Sequence, residues 1–203
     1  MKAQFLFSLY FLIASISLLS LTQDLHSAPF KNISVRIDPE LAFSLEAIQA
    51  LPEGKALLSR ILTEGPLTIA VGKNDVVRDF SACWDSDSRT ILIGLFSRPT
   101  RGEVIGSLIF ELQNALVSSQ FDKLNEKVTR GKLSKVEYIR AMEYLEYVNS
   151  INASKLAKIG IQKGLLPKSA CLPTYKNFEE HFYYQKVSGH SDIIGWNYDL
   201  LVQ

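Results

Sequence analysis

Between Arg101 and Gly131 the chain reads RGEVIGSLIFELQNALVSSQFDKLNEKVTRG, and its apolar residues fall on nearly every side of the long helix this spacing predicts. Val104, Ile105, Leu108, Ile109, Leu112, Ala115 and Leu116 take one side, and Phe110, Val117, Phe121 and Leu124 take much of the other. A helix that is apolar all round belongs in the centre of a fold. One polar stripe interrupts it: Ser107, Glu111, Asn114 and Ser118, at helical spacing. Desolvating an unpartnered carboxylate costs on the order of several kcal/mol, so a Glu on such a helix needs a reason to be there. Glu111 is therefore the candidate acid or base, and Asn114, Ser107 and Ser118 are candidate binding residues beside it. The competing reading is structural: Glu111 pairs with Arg101, Arg140 or a backbone amide.

The remaining pattern sets this helix in an α+β frame. Thr100 followed by Glu103 predicts a capping box at its start, and Ser134 with Glu137 predicts another. The second opens a long helix that closes at Gly164 and Pro167. Tyr138, Ala141, Met142, Leu145, Val148, Leu156 and Ile159 form its apolar face, with Asn149 and Asn152 projecting into that face. Glu146 lies at the margin, and Glu143 points further out, along a face with Glu137, Arg140 and Tyr144 that reads as solvated. Upstream, Ile33 to Ile37 alternates like a strand, and Asp38-Pro39 starts a helix running to Leu51 that Pro52-Glu53-Gly54 breaks. A second helix covers Lys55 to Thr63, and Leu67 to Val71 is a buried-type strand. Ser81–Trp84 and Thr90–Phe96 flank Asp85-Ser86-Asp87-Ser88 as a hairpin. Asn177 to Val187 is an aromatic-rich helix, and Asp192 to Leu201 a short helix or coil. The expected fold is a small, mostly antiparallel sheet of three to four strands packed against long helices.

Composition places this frame outside the cytoplasm. Met1-Lys2 precedes an uncharged apolar run from Phe5 to Leu21, with Ser27-Ala28 offering small residues for a cut; this is a secretory signal pattern. Residues 1–28 are read as signal and 29–203 as one domain. The expected address is secreted or periplasmic, the alternative an uncleaved anchor, since the run approaches the roughly 20 residues that span a bilayer. A net charge of +1 leaves no electrostatic footprint for nucleic acid. An oxidising compartment permits a disulfide between Cys83 and Cys171, and two separate buried thiols is the equal alternative. His181 reads as part of an amphipathic aromatic helix. In His190-Ser191-Asp192 the catalytic residue types are adjacent by coincidence, because a triad converges from separated positions.

The order of elements around Glu111 resembles the zincin metallopeptidase fold, in which strands precede an active-site helix carrying His-Glu-x-x-His. Here Thr90 to Ile93 precedes Phe110-Glu111-Leu112-Gln113-Asn114, which sets Phe110 and Asn114 at the two histidine positions and Glu111 at the general base. The resemblance implies a third ligand from the following helix, where Glu143 and Glu146 stand. Phe110 cannot ligate and Asn114 ligates zinc poorly, so a hydrolytic zinc centre is not expected and no metal or cofactor is assigned. Two functions remain. One is a non-catalytic, zincin-like binding or interaction domain, with a peptide or protein partner in a groove over the Glu111 helix. The other is a hydrolase using Glu111 as acid or base, with Glu146 as a second carboxylate.

Overall fold

The structure, a computed structural model, describes residues 34–73 and 81–203. The N-terminal apolar run, its cleavage region, Ile33 and residues 74–80 lie outside the described residues. Among the described residues there are four strands, β1 (Val35–Ile37), β2 (Leu67–Val71), β3 (Ala82–Asp85) and β4 (Thr90–Ile93), in the order β1-β2-β4-β3. The helices are α1 (Ala42–Gln49), α2 (Pro52–Leu62), α3 (Arg101–Leu116), α4 (Ser118–Thr129), α5 (Lys135–Gln162), α6 (Phe178–Ser188) and α7 (His190–Leu201).

The α+β class holds, but the sheet is mixed rather than mostly antiparallel. β1 pairs parallel with β2, and β2 parallel with β4; only the β3–β4 pair is antiparallel. The cause is connectivity. The two helices between β1 and β2 form a crossover, which returns the chain parallel. The chain then enters the sheet at its edge as β3 and folds back through Asp85–Arg89 into the slot beside β2. That turn is held locally: Asp85 Oδ1 accepts the Asp87 amide at 3.0 Å, and the Ser88 hydroxyl donates to Oδ2 at 2.7 Å. Asp38 does not cap the following helix with its side chain. It accepts the Val71 amide at 2.7 Å and so ties the end of β1 to β2. The first helix does end before Pro52, at Gln49, but Pro52, Glu53 and Gly54 belong to α2, with Pro52 as its first residue, where its missing N–H is harmless.

The helix expected over 101–131 is two helices. The backbone leaves helical geometry at Val117 (φ −108°, ψ 15°), so Ser118 opens α4 and drops out of the α3 stripe. Both capping boxes form, at Thr100–Glu103 and Ser134–Glu137. Every residue from Val104 to Ala115 is buried, and α3 packs against α1, α2, β3, β4 and α5. Leu41, Ile48, Leu67, Ile69, Ile91, Leu108, Ile109 and Leu112 form the main core with it. A second cluster, Phe121, Val128, Tyr138, Met142 and Ile194, joins α4, α5 and α7. No helix of the described residues is long and apolar enough to cross a membrane.

Candidate functional site: a buried carboxylate–imidazole centre

Glu111 lies in the interior, 1% exposed. Asn114, one turn on, donates to its Oε2 at 3.0 Å, and Asn114 in turn accepts from Asn149 of α5 at 2.8 Å. Glu111 is thus linked to the α5 amide through Asn114, and of the structural partners considered it takes the backbone one, a hydrogen bond from Trp84. Neither Arg101 nor Arg140 reaches Glu111: Arg101 stacks over Phe43 at 4.3 Å, and Arg140 pairs with Glu179. Burial drives the Glu111 carboxyl up to about 8, against the Asn114 hydrogen bond, with the charge of Glu146 adding and that of His190 opposing. Ser107 is buried on the same helix, while Ser118 accepts the indole N–H of Trp84 at 3.1 Å and is a structural anchor.

Glu143 corrects the sequence reading most sharply. It is fully buried, not solvated, because α6 and α7 fold back over that face of α5. Glu143 and Glu146, three residues apart, stand on one side of α5. Against them α7 brings His190 and Ser191, its first two residues, and α6 brings His181. His190 Nδ1 lies 3.0 Å from Glu143 Oε1, and the Ser191 hydroxyl donates to the same oxygen at 2.7 Å. His190 Nε2 stands 3.6 Å from Glu146 Oε2, and His181 Nε2 stands 3.4 Å from Glu143 Oε2. Tyr147, Tyr175 and Phe178 pack around the His181 ring.

The charges sort themselves. Burial disfavours the Glu143 anion, but the imidazoles of His181 and His190 and the Ser191 hydroxyl outweigh it and hold its carboxyl below the usual range. Burial raises Glu146, which His190 opposes and Glu143 reinforces. His190 is held above its ordinary value because Glu146 and Glu143 overcome its desolvation. Several atoms are nevertheless left over. Both Glu146 oxygens, Glu143 Oε2, His190 Nε2 and both His181 ring nitrogens are buried and make no hydrogen bond.

Among the expected site residues, α3 and α5 thus bring Glu111, Asn114, Glu143 and Glu146 into one interior region, whereas Ser118 is tied to Trp84. His181, His190 and Ser191 were missed as site residues. The available signal was the glycine at 189, which adopts a left-handed conformation (φ +85°) and folds α7 back on α6. Cys83 and Cys171 are both free thiols. Cys83 sits on β3 near Glu111, whereas the segment carrying Cys171 packs on Gly106, about 140° round the same helix at 3.6 residues per turn, so no bridge spans them. Cys171 lies instead 3.4 Å from the Ser154 hydroxyl. The residues in the zincin register do not fit zinc either: Phe110 carries no ligand atom, and both ends of the Asn114 amide are committed to Glu111 and Asn149. Comparison of the chain with protein-family models, curated proteins and solved structures finds no match.

Proposed function

We propose that this is an exported binding protein, and that its partner is an acidic amphipathic helix. The N-terminal apolar run supports the exported address, and the order of strands ahead of the Glu111 helix supports a zincin-like scaffold. The observation that carries the binding reading is a groove of about 700 Å³ between α4 and α5, with Phe178 of α6 among its lining residues. It lies away from α3, whose residues from Val104 to Ala115 are buried. Gln120, Lys123, Leu124 and Lys127 line it from α4, and Glu137, Arg140, Ala141, Tyr144 and Leu145 from α5, each set at helical spacing. Leu124, Ala141 and Leu145 give an apolar floor between two ridges, the surface a third helix fills. The rim is basic: Glu137 is occupied in its capping box and Arg140 with Glu179, which leaves Lys123 and Lys127 to face a partner.

The test is fluorescence anisotropy with a labelled, acidic amphipathic peptide about four turns long. The protein should bind it, and Lys123→Glu with Lys127→Glu should weaken binding at least tenfold, by about 1.4 kcal/mol or more. Equal binding of a scrambled peptide, or no effect of charge reversal, refutes the reading. A second reading, a hydrolase with Glu111 as general acid, draws on the raised Glu111 pKa, which suits proton donation near neutrality. The same burial that raises it keeps substrate away, so the binding reading is favoured.

A further inference from the structure

We infer that Glu143, Glu146 and His190 bind one divalent transition-metal ion between α5 and α7. One ligand atom from each of the three lies within 4.8 Å of the others, and all three residues are buried. Proximity of acids would not suffice. The second observation is the set of buried polar atoms left without hydrogen bonds, both Glu146 oxygens, Glu143 Oε2 and His190 Nε2. An ion-pair network accounts for Glu143 Oε1, His190 Nδ1 and Ser191, and it leaves both Glu146 oxygens and His190 Nε2 without a hydrogen bond, while Glu143 Oε2 has only the His181 ring nitrogen near it, at 3.4 Å. Each such atom costs about 1–3 kcal/mol unless something satisfies it.

Distance separates a cation from a hydrogen bond. His190 Nε2 and Glu146 Oε2 stand 3.6 Å apart, too far for a hydrogen bond. Two ligands held at about 2.1 Å in a tetrahedral shell are about 3.4 Å from each other, so the gap matches an edge of a coordination polyhedron. The surroundings already resemble an outer shell. Glu143 Oε1 engages His190 Nδ1, which turns Nε2 toward Glu146, and Ser191 fixes that oxygen. His181 Nε2 stands 3.4 Å from Glu143 Oε2, on the side of the carboxylate away from His190 Nδ1, which lies against Oε1. Two carboxylates with an imidazole favour zinc-like ions over calcium or magnesium, which take oxygen ligands. Two carboxylate anions also balance the charge of a divalent ion, so the filled centre is neutral.

The experiment uses the full chain, stripped with EDTA and titrated with Co²⁺ or Zn²⁺ alone. One equivalent of Co²⁺ should develop visible d–d absorption, Zn²⁺ should displace it, and excess Ca²⁺ should not. Glu146→Gln is the informative variant, because Glu146 makes no hydrogen bond for the substitution to break. Affinity should fall more than the roughly 10- to 100-fold that outer-shell changes cost, with the metal-free protein still folded by circular dichroism. In the wild type, Zn²⁺ should shift the ring signals of His190 in the imidazole NMR spectrum, a readout that needs no variant. Failure of cobalt to bind, unchanged affinity in a folded Glu146→Gln, or an unmoved His190 ring each overturns the inference. None of these outcomes touches the α4–α5 groove, whose test stands apart.

Discussion

Replacing Glu111 by Gln exposes the electrostatic load carried by the central helix. In the folded chain burial raises this carboxyl from its ordinary 4.5 to about 8, so between those values the native state keeps a proton that the unfolded chain has released. The native state binds more protons there, so unfolding free energy falls as pH rises. The penalty is absent below about 4.5 and complete above about 8. Its full size by linkage is on the order of 4–5 kcal/mol, a large fraction of a typical domain's stability. Gln keeps the shape and a carbonyl oxygen to accept the Asn114 hydrogen bond, and it never ionises. Glu111→Gln should therefore match the wild type near pH 4.5 to within the small cost of the swap. By pH 8.5 it should exceed it by several kcal/mol. Glu146 and His190 are also raised on folding and add slopes of the same sign, but they are present in both proteins and largely cancel in the difference. Urea denaturation followed by circular dichroism at several pH values, with EDTA throughout, measures it. A stability difference that does not change with pH would refute the assignment of a protonated, buried Glu111.

The thiols and a close helix contact give two further tests. Burial, with the charges of Glu111 and Asp85, pushes the Cys83 thiol up to about 12, so Cys83 should ignore a thiol reagent in the native protein while half-buried Cys171 reacts; equal reactivity, or no free thiol after unfolding, would contradict this. Gly106→Ala should destabilise by about 1–3 kcal/mol, because the added Cβ meets the Ala170 carbonyl oxygen at 2.6 Å and backbone has little room to move; a neutral effect in a urea melt would place the 168–170 turn elsewhere.

Local rules located most of the fold. Thr100–Glu103 and Ser134–Glu137 are signals contained within four residues, and both helix starts fall where those residues set them. The hairpin follows likewise from Asp85 and Ser88, whose side chains close their own turn. What local rules did not carry is the parallel pairing of β2 with β4, because a hairpin specifies only which strands are neighbours and not the slot its second strand enters. The break at Val117 escaped for a related reason. An apolar pattern that continues from α3 through Phe121 and Val128 of α4 reads as one helix, and no proline or glycine marks the break at Val117.

The centre was half legible, and the missing half explains the error at Glu143. Glu111 and Asn114 announce themselves because polar residues interrupt an all-apolar helix, so the sequence alone marks them as costly. Glu143 and Glu146 share a helix with Glu137, Arg140 and Tyr144, and exposed charges at those positions make the whole face look solvated. Helical periodicity reports only which residues share a face, and burial depends on what the rest of the chain lays over it. Here α6 and α7, at the far end of the sequence, cover positions 143 and 146 and leave Tyr144 half out. The histidines that face the two carboxylates arrive with them, 47 residues away in the case of His190 and Glu143. An adjacency dismissed as coincidence therefore has a physical role of another kind. His190 and Ser191 act together on one oxygen of Glu143 because the start of α7 points both side chains at it, while Asp192 stays in solvent.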